Sequence, residues 1–402
     1  MPGARFINAS AALRSMGAPR SRLLNLLMVV QMAGSFRMGI ISPILALLIR
    51  RQGVSIVEIG VLGIAGMLGW LIFEPLSGII SDRVNRRVMI SFAVISTSII
   101  YLLYPFATVF GHFLILAFAL SSFSSASSVP TRALLSELLP STGRGHTYGR
   151  YMAIVSGSSV IAPFVGGYVS EAISYAIPFY SAAGVGVISL AAVALMGKLP
   201  ESEKKERPKT SIFEVLNGSL LNIYLVRGLY FFIFPFRSSF LPILLNESAM
   251  HATEIEIGTY MTIVSFTTAV SQAFLGDLVD RIGSWKIIVV TISALAISYF
   301  GILAASWIPV LFVIGALQGA LQAGADTSMM MHLMSLQSKG KTGVVMGLYS
   351  EAENIGGIVA NPALGYTYTT FGPLSSLILV SGILFLTAGI AAVRLRHSAT
   401  SS

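Results

Sequence analysis

Gly78-Ile-Ile-Ser-Asp82-Arg83-Val-Asn85-Arg86-Arg87 closes one long apolar run, and Gly276-Asp-Leu-Val-Asp280-Arg281-Ile-Gly283-Ser-Trp-Lys286 closes another, 198 residues further on. The pair is one of several such matches. Glu58-Ile59-Gly60 returns as Glu256-Ile257-Gly258 and Gly149-x-Tyr151 as Gly347-x-Tyr349 at the same offset of 198. Phe36-Arg37 with Pro43-Ile44-Leu45 returns as Phe236-Arg237 with Pro242-Ile243-Leu244, offset by 199 to 200. Agreement at one register across separate segments marks a duplicated chain, a pattern common in membrane folds. The reading divides the protein into residues 1–197 and 211–402. Between them lies the segment 198–210, KLPESEKKERPKT, whose charge and proline content cannot bury itself.

Working outward, 54% of the 402 residues are hydrophobic and 11% are charged, and the mean hydropathy is +0.80. A soluble domain carries about 25% charged residues, so most of this chain belongs in lipid. Apolar stretches long enough to cross a hydrocarbon core of about 30 Å occur twelve times, over 23–48, 57–79, 87–106, 111–136, 149–170, 174–196, 219–245, 256–276, 285–305, 308–333, 344–366 and 373–393. The second, eighth and eleventh are the least uniform, being interrupted by Glu74, Gln272, Glu351 and Glu353. The expected fold class is all-α integral membrane, twelve helices in two pseudo-symmetric six-helix bundles.

Twenty of the 26 Lys and Arg fall in the tails and the loops of one side, while Arg50 and Arg51 stand on the other. The positive-inside rule then places both termini and the 198–210 linker in the cytoplasm, with a plasma membrane as the expected location. The dispersal of the +9 charge over many loops argues against a nucleic-acid partner. The first apolar run is too long for a signal-peptide core and lacks a small-residue cleavage site. Cysteine is absent, which excludes disulfides and thiol chemistry. No metal or other cofactor is implied, and the chain is expected to act as a monomer.

The loop after the second span resembles the GxLaDRxGRR/K motif of the major facilitator superfamily, and its second copy follows the eighth span. In the fifth span, Gly157-Ser-Ser-Val-Ile-Ala162-Pro163-Phe-Val-Gly166-Gly167 is similar to the GxxxGPxxGG signature of antiporters in that superfamily. Two departures stand out: Asn85 where the first loop usually has glycine, and Ala162 where glycine precedes the proline. The resemblance covers the whole chain and implies a transporter. It also implies a conformational latch built from Gly78, Asp82, Arg83 and Arg86, with Glu137 at the end of the fourth span as the acid for Arg86, and from Gly276, Asp280 and Arg281 in the second copy. Gly157, Pro163, Gly166 and Gly167 are expected to allow close helix packing. The serine run Ser121 to Ser128 is read as packing before cavity wall.

Charges inside a membrane are costly and point to function. Arg37 lies about 14 residues into the first span, roughly 21 Å at 1.5 Å per residue, and Arg237 holds the matching place in the seventh. Across the axis relating the halves, two guanidiniums can clamp a carboxylate or phosphate, and phosphate-ester antiporters of the superfamily are similar in placing arginines there. The alternative is that each neutralises a membrane acid. Arg227, nearer the inner face, reads as structural. Glu353, Glu351, Asp326 and Glu74 are the candidates for proton coupling, with Arg132 or Arg227 as possible structural partners for Glu74 and Asp326. Tyr230, Phe231, Phe232 and Phe234 precede Arg237 and can line an apolar cavity.

The function expected from this reading is alternating-access secondary transport of a small solute, an organic anion favoured, with a proton as coupling ion. Multidrug efflux of lipophilic cations is the alternative, and a transporter-like sensor a remote one. An enzyme is not expected, because no P-loop, HExxH or GxSxG is present and the five histidines are scattered.

Overall fold

The structure, a computed structural model, describes residues 18–81, 84–139, 144–197, 218–248, 250–305, 307–336 and 342–400. Asp82, Arg83 and the 198–210 linker lie outside these residues.

Among the described residues, twelve helical stretches follow one another. The first six are α1 (Ala18–Ile41, then Leu45–Arg51), α2 (Ile56–Ser81), α3 (Arg86–Leu103), α4 (Phe110–Leu138), α5 (Arg144–Ser158, then Ala162–Ala172) and α6 (Ile177–Leu195). The last six are α7 (Gly218–Tyr230 through Leu241–Glu247), α8 (Glu254–Ile282), α9 (Ser284–Ala304), α10 (Ile308–Ser335), α11 (Thr342–Phe371) and α12 (Pro373–Thr400). Ten of these are long and apolar enough to cross a membrane. α8 and α11 have the length, 29 and 30 residues, but polar side chains such as Gln272, Glu351 and Glu353 lower their apolarity. The first turn of α1, the last turn of α12 and the α2–α3 and α8–α9 junctions share one face, called here the terminal face.

Packing follows the repeat. α1 packs on α5 and α6, α2 on α4, and α3 on α4 and α6; their counterparts α7 on α11 and α12, α8 on α10, and α9 on α10 and α12 pack likewise. The two sets meet along α2 with α11 and α5 with α8, contacts that a twofold relation exchanges.

The repeated Glu-Ile-Gly explains those contacts. Glu256 is the third residue of α8 and forms a capping box with Thr253. Glu58 does the same with Ser55 at the start of α2, its carboxylate accepting from the Ser55 N–H at 2.8 Å while the Ser55 hydroxyl accepts from the Glu58 N–H at 3.3 Å. Two residues on, Gly60 lies against the backbone of Asn361 on α11, and Gly258 against the carbonyl of Pro163 on α5. On α5, Gly167 meets the Glu254 carbonyl of α8 and Gly166 the Ile40 carbonyl of α1, whereas nothing lies within 4 Å of a side chain at Gly157. The packing motif therefore acts through its second part.

Helix breaks coincide with the repeated prolines. Pro43 sits in the turn that interrupts α1, and Pro242 follows a π-helical turn over Phe236–Phe240 in α7. Pro242 has no N–H for the carbonyl one turn before it, and the helix widens there.

The two loop copies differ locally. Asn85 caps α3, its side chain accepting from the Arg87 N–H at 2.9 Å, which an asparagine does well and a glycine cannot. Its counterpart Gly283 has φ of +96°, a conformation suited to glycine. Arg86, 8% exposed, grips Glu137 with two bonds of 2.6 and 2.9 Å. Arg87 reaches the Ala194 and Gly197 carbonyls at the end of α6, and Arg20 the last carbonyls of α4. Asp280 and Arg281 are exposed, with no ion-pair partner among the described residues. The serine run is mainly helix-bound: Ser122, Ser124 and Ser125 return their hydroxyls to carbonyls of α4.

Two outcomes follow. Gly167→Leu places atoms inside the α8 backbone, so it should destabilise the purified protein by at least about 1–3 kcal/mol, read as a lowered denaturation midpoint, while Gly157→Leu should leave the midpoint nearly unchanged. Arg86→Ala should cost about 1–2 kcal/mol, because the charge-assisted pair is lost from a site where Glu137 retains partial solvent access, and Arg86→Lys should recover only part of it.

Candidate functional site

A cavity of about 540 Å³ lies between the two sets of helices. Its wall is apolar, with Trp70, Tyr101, Tyr104 and Phe234 supplying rings and Met38, Met67 and Met261 thioethers. Serine hydroxyls from α1, α4, α7 and α8 and the amide of Asn361 add polar points. Among the described residues that line it, Arg237 is the sole charged group. It stands in the π turn of α7, and its guanidinium donates to the side-chain oxygen of Gln322 on α10.

Arg37 is placed differently from its repeat counterpart. It is 5% exposed and does not line the cavity. Its guanidinium donates to the hydroxyls of Thr97 and Ser98 on α3 at 3.2 and 3.0 Å and lies over the Tyr101 ring, 4.9 Å from its centroid. Gly186 on α6 leaves room for it. Tyr101 is thus the group that Arg37 presents to the cavity. The symmetric two-arginine clamp expected from sequence is not formed in this structure, because the α3 hydroxyls and Tyr101 hold Arg37 back. Neither arginine has a carboxylate partner among the described residues, which also departs from the alternative of simple neutralisation.

The four acids gather in the terminal-face half. Arg227 joins Asp326 of α10 at 2.6 Å and Glu353 of α11 at 2.7 Å, and lies over the rings of Tyr230 and Tyr349. Arg132 of α4 holds Glu74 of α2 at 2.5 Å. Glu351, half-buried, accepts from Asn354 at 3.2 Å and has no cationic partner among the described residues. Glu74 lies within electrostatic range of both Glu351 and Glu353, so the two sets of helices face each other here through carboxylates.

Toward the opposite face the sets are tied together. Arg50 pairs with Glu247 at 2.6 Å and Arg51 with Glu254 at 2.9 Å. Tyr175 donates to Glu254 under the Arg51 guanidinium, the Ile255 N–H to Glu171 at 2.9 Å, and the Phe164 N–H to Thr262 at 3.0 Å. The hydrogen bonds and ion pairs found between the two sets among the described residues gather in this half of the molecule.

Sequence reasoning reached Arg237, Phe234 and the four acids but missed Gln318, Gln322 and the cavity rings Trp70, Tyr101 and Tyr104. One signal was available: Gln318, Gln322 and Asp326 are spaced by four, so they share one face of an otherwise apolar helix. That face meets Tyr260, Arg237 and Arg227 in turn.

The sequence profile described as Major Facilitator Superfamily matches residues 27–248 and 223–401. An uncharacterised transporter of this type from Methanocaldococcus jannaschii is 22% identical over 375 residues, 88% of this chain and 92% of that protein. The quinolone resistance protein NorA of Staphylococcus aureus is 23% identical over 184 residues, 46% of each chain. Among solved structures, the nucleoside transporter NupG superposes with a TM-score of 0.76 at 12% identity, covering 92% of this chain and 99% of that one. A bacterial homologue of the human lysosomal transporter Spinster, in an inward-facing and unoccupied conformation, gives 0.74 at 16%, covering 95% and 98%. The human organic anion transporter MFSD10 gives 0.68 at 15%, covering 93% and 100%. With its all-helical spans, its central cavity and a family match over most of its length, the chain belongs to the Major Facilitator Superfamily and is a multi-pass membrane transporter of small molecules, not an enzyme.

Proposed function

We propose that this transporter carries an organic anion with an apolar body, by alternating access and with protons as the coupling ion. The observation that carries the reading is the guanidinium of Arg237, the single charged group among the described residues that line the cavity. Its volume falls within the usual range for small-ligand sites, about 300–1,000 Å³, and its rings and thioethers suit an apolar body. A half-buried guanidinium with no carboxylate partner among the described residues favours an anionic group in the solute. Arg37 contributes indirectly, by positioning Tyr101.

The four acids supply protonatable groups, and Glu351 can gain or lose a proton without breaking an ion pair. The ties between the helix sets near the opposite face support a state open toward the terminal face. Release of the Arg86–Glu137 pair and its loop during switching fits a latch role. The loop charge bias supports cytoplasmic termini in a plasma membrane, and the protein is taken to work as a monomer. A second reading, efflux of lipophilic drugs, draws on the aromatic and thioether wall and on the likeness to NorA.

The test is uptake into proteoliposomes under an imposed pH gradient, comparing 1-naphthalenesulfonate, which stays ionised, with tetraphenylphosphonium. We expect gradient-driven uptake of the sulfonate, reduced at least tenfold in Arg237→Gln and less in Arg37→Gln. Uptake of the phosphonium alone, insensitive to Arg237→Gln, would overturn the anion reading and favour drug efflux.

A further inference from the structure

Away from the helix ends, the spans hold four arginines (Arg37, Arg132, Arg227, Arg237) and four acids (Glu74, Asp326, Glu351, Glu353). Their charges cancel in number but are separated in space. Of four carboxylates in the terminal-face half, three pair with the two guanidiniums Arg132 and Arg227, and Glu351 has no cationic partner among the described residues. The other two guanidiniums, Arg37 and Arg237, stand deeper with only neutral partners among the described residues.

Seating a monoanion on Arg237 leaves this interior with one negative charge in excess. Carrying a net charge through a low-dielectric interior is costly, and one proton on the carboxylates restores the balance. Building on the anion reading above, we infer that solute and proton bind together in a ratio of one to one, the anion on Arg237 and the proton on the carboxylate cluster, so that the cycle is an electroneutral symport. Opposite charges at separate sites help one another. Two ligands exchanged by an antiporter must instead exclude one another.

α10 joins the two sites. Gln322, whose side-chain oxygen occupies Arg237 in this structure, is one turn from Asp326, about 6 Å along the axis, and Asp326 holds Arg227. An incoming anion takes the place of the Gln322 oxygen on Arg237. Tyr230 on α7 supplies a second observation. It is 2% exposed and its hydroxyl has no hydrogen-bond partner among the described residues, although it lies within electrostatic range of Asp326, Arg227 and Arg237. Buried hydroxyls are normally paired. A proton that loosens Asp326 or Glu353 from Arg227 would give this hydroxyl a partner.

Among the described residues, the groups that face the cluster are Arg227 and Tyr230 from α7, Asp326 from α10, Tyr349, Glu351, Glu353 and Asn354 from α11, Glu74 from α2 and Arg132 from α4.

Titration calorimetry of 1-naphthalenesulfonate into the purified full-length protein, in two buffers of different protonation heat, counts the protons taken up per anion bound. We expect about one, with the affinity rising up to tenfold per pH unit of acidification across the titration of the cluster. Asp326→Asn with Glu353→Gln should bring the uptake toward zero. The count is made first on the unaltered protein, so a failure of the variant to fold leaves the test intact. Binding that needs Arg237 but takes up no proton would overturn the symport while leaving the anion reading standing. Absence of Arg237-dependent binding would overturn both.

Discussion

A charge without a partner is expensive in hydrocarbon, and the arrangement of this molecule follows from where it tolerates one. Most of the interior charges are paired across helices: Arg227 ties α7 to α10 and α11, Arg132 ties α4 to α2. Arg37, Arg237 and Glu351 are the exceptions among the described residues. Arg37 donates to two hydroxyls and lies over a ring, a neutral shell that leaves its buried Nε without a hydrogen-bond partner among the described residues. Arg237 has a single amide oxygen and faces open space. The two positions descend from one repeat position, yet only Arg237 lines the cavity.

The seam between the helix sets depends on a different constraint, the distance at which backbones meet. Gly60, Gly63, Gly167 and Gly258 let α2 approach α11 and α5 approach α8 where any side chain would intrude. Ion pairs at Arg50 and Arg51 fasten the same end. At the other end the seam presents carboxylates to one another. Close apolar contact at one end and like charge at the other give the two ends unequal tendencies to part, which is the asymmetry that a rocking motion between two states needs.

The repeat is carried unevenly in the two halves. The Glu-Ile-Gly segments keep both their capping box and their close approach. The loop motif keeps its spacing but not its conformation, since Asn85 caps a helix where Gly283 turns with positive φ. The polar face of α10, with Gln318, Gln322 and Asp326, has Leu120, Ser124 and Ser128 at the same offset of 198 in α4. The second half therefore brings Arg237 and Asn361 to the cavity, and the first half supplies much of the apolar wall.

By itself the sequence determined the membrane environment, the twelve apolar stretches, the duplication, the family and the few interior charges, because these depend on composition, length and register along one chain. It pointed to Arg237 and to the four acids for the same reason, since a charge in an apolar run is visible without knowing its neighbours. Which acid meets which arginine was decided only by tertiary structure: Arg227 to Asp326 and Glu353, Arg132 to Glu74, and Glu351 left with Asn354. So was the retreat of Arg37 behind Tyr101, which follows from two hydroxyls on α3 and the space left by Gly186 on α6. The groups around Arg37 lie 60 to 149 positions away along the chain and the acids that meet Arg132 and Arg227 lie 58 to 126 away, and periodicity within a helix carries no information about what stands across from it.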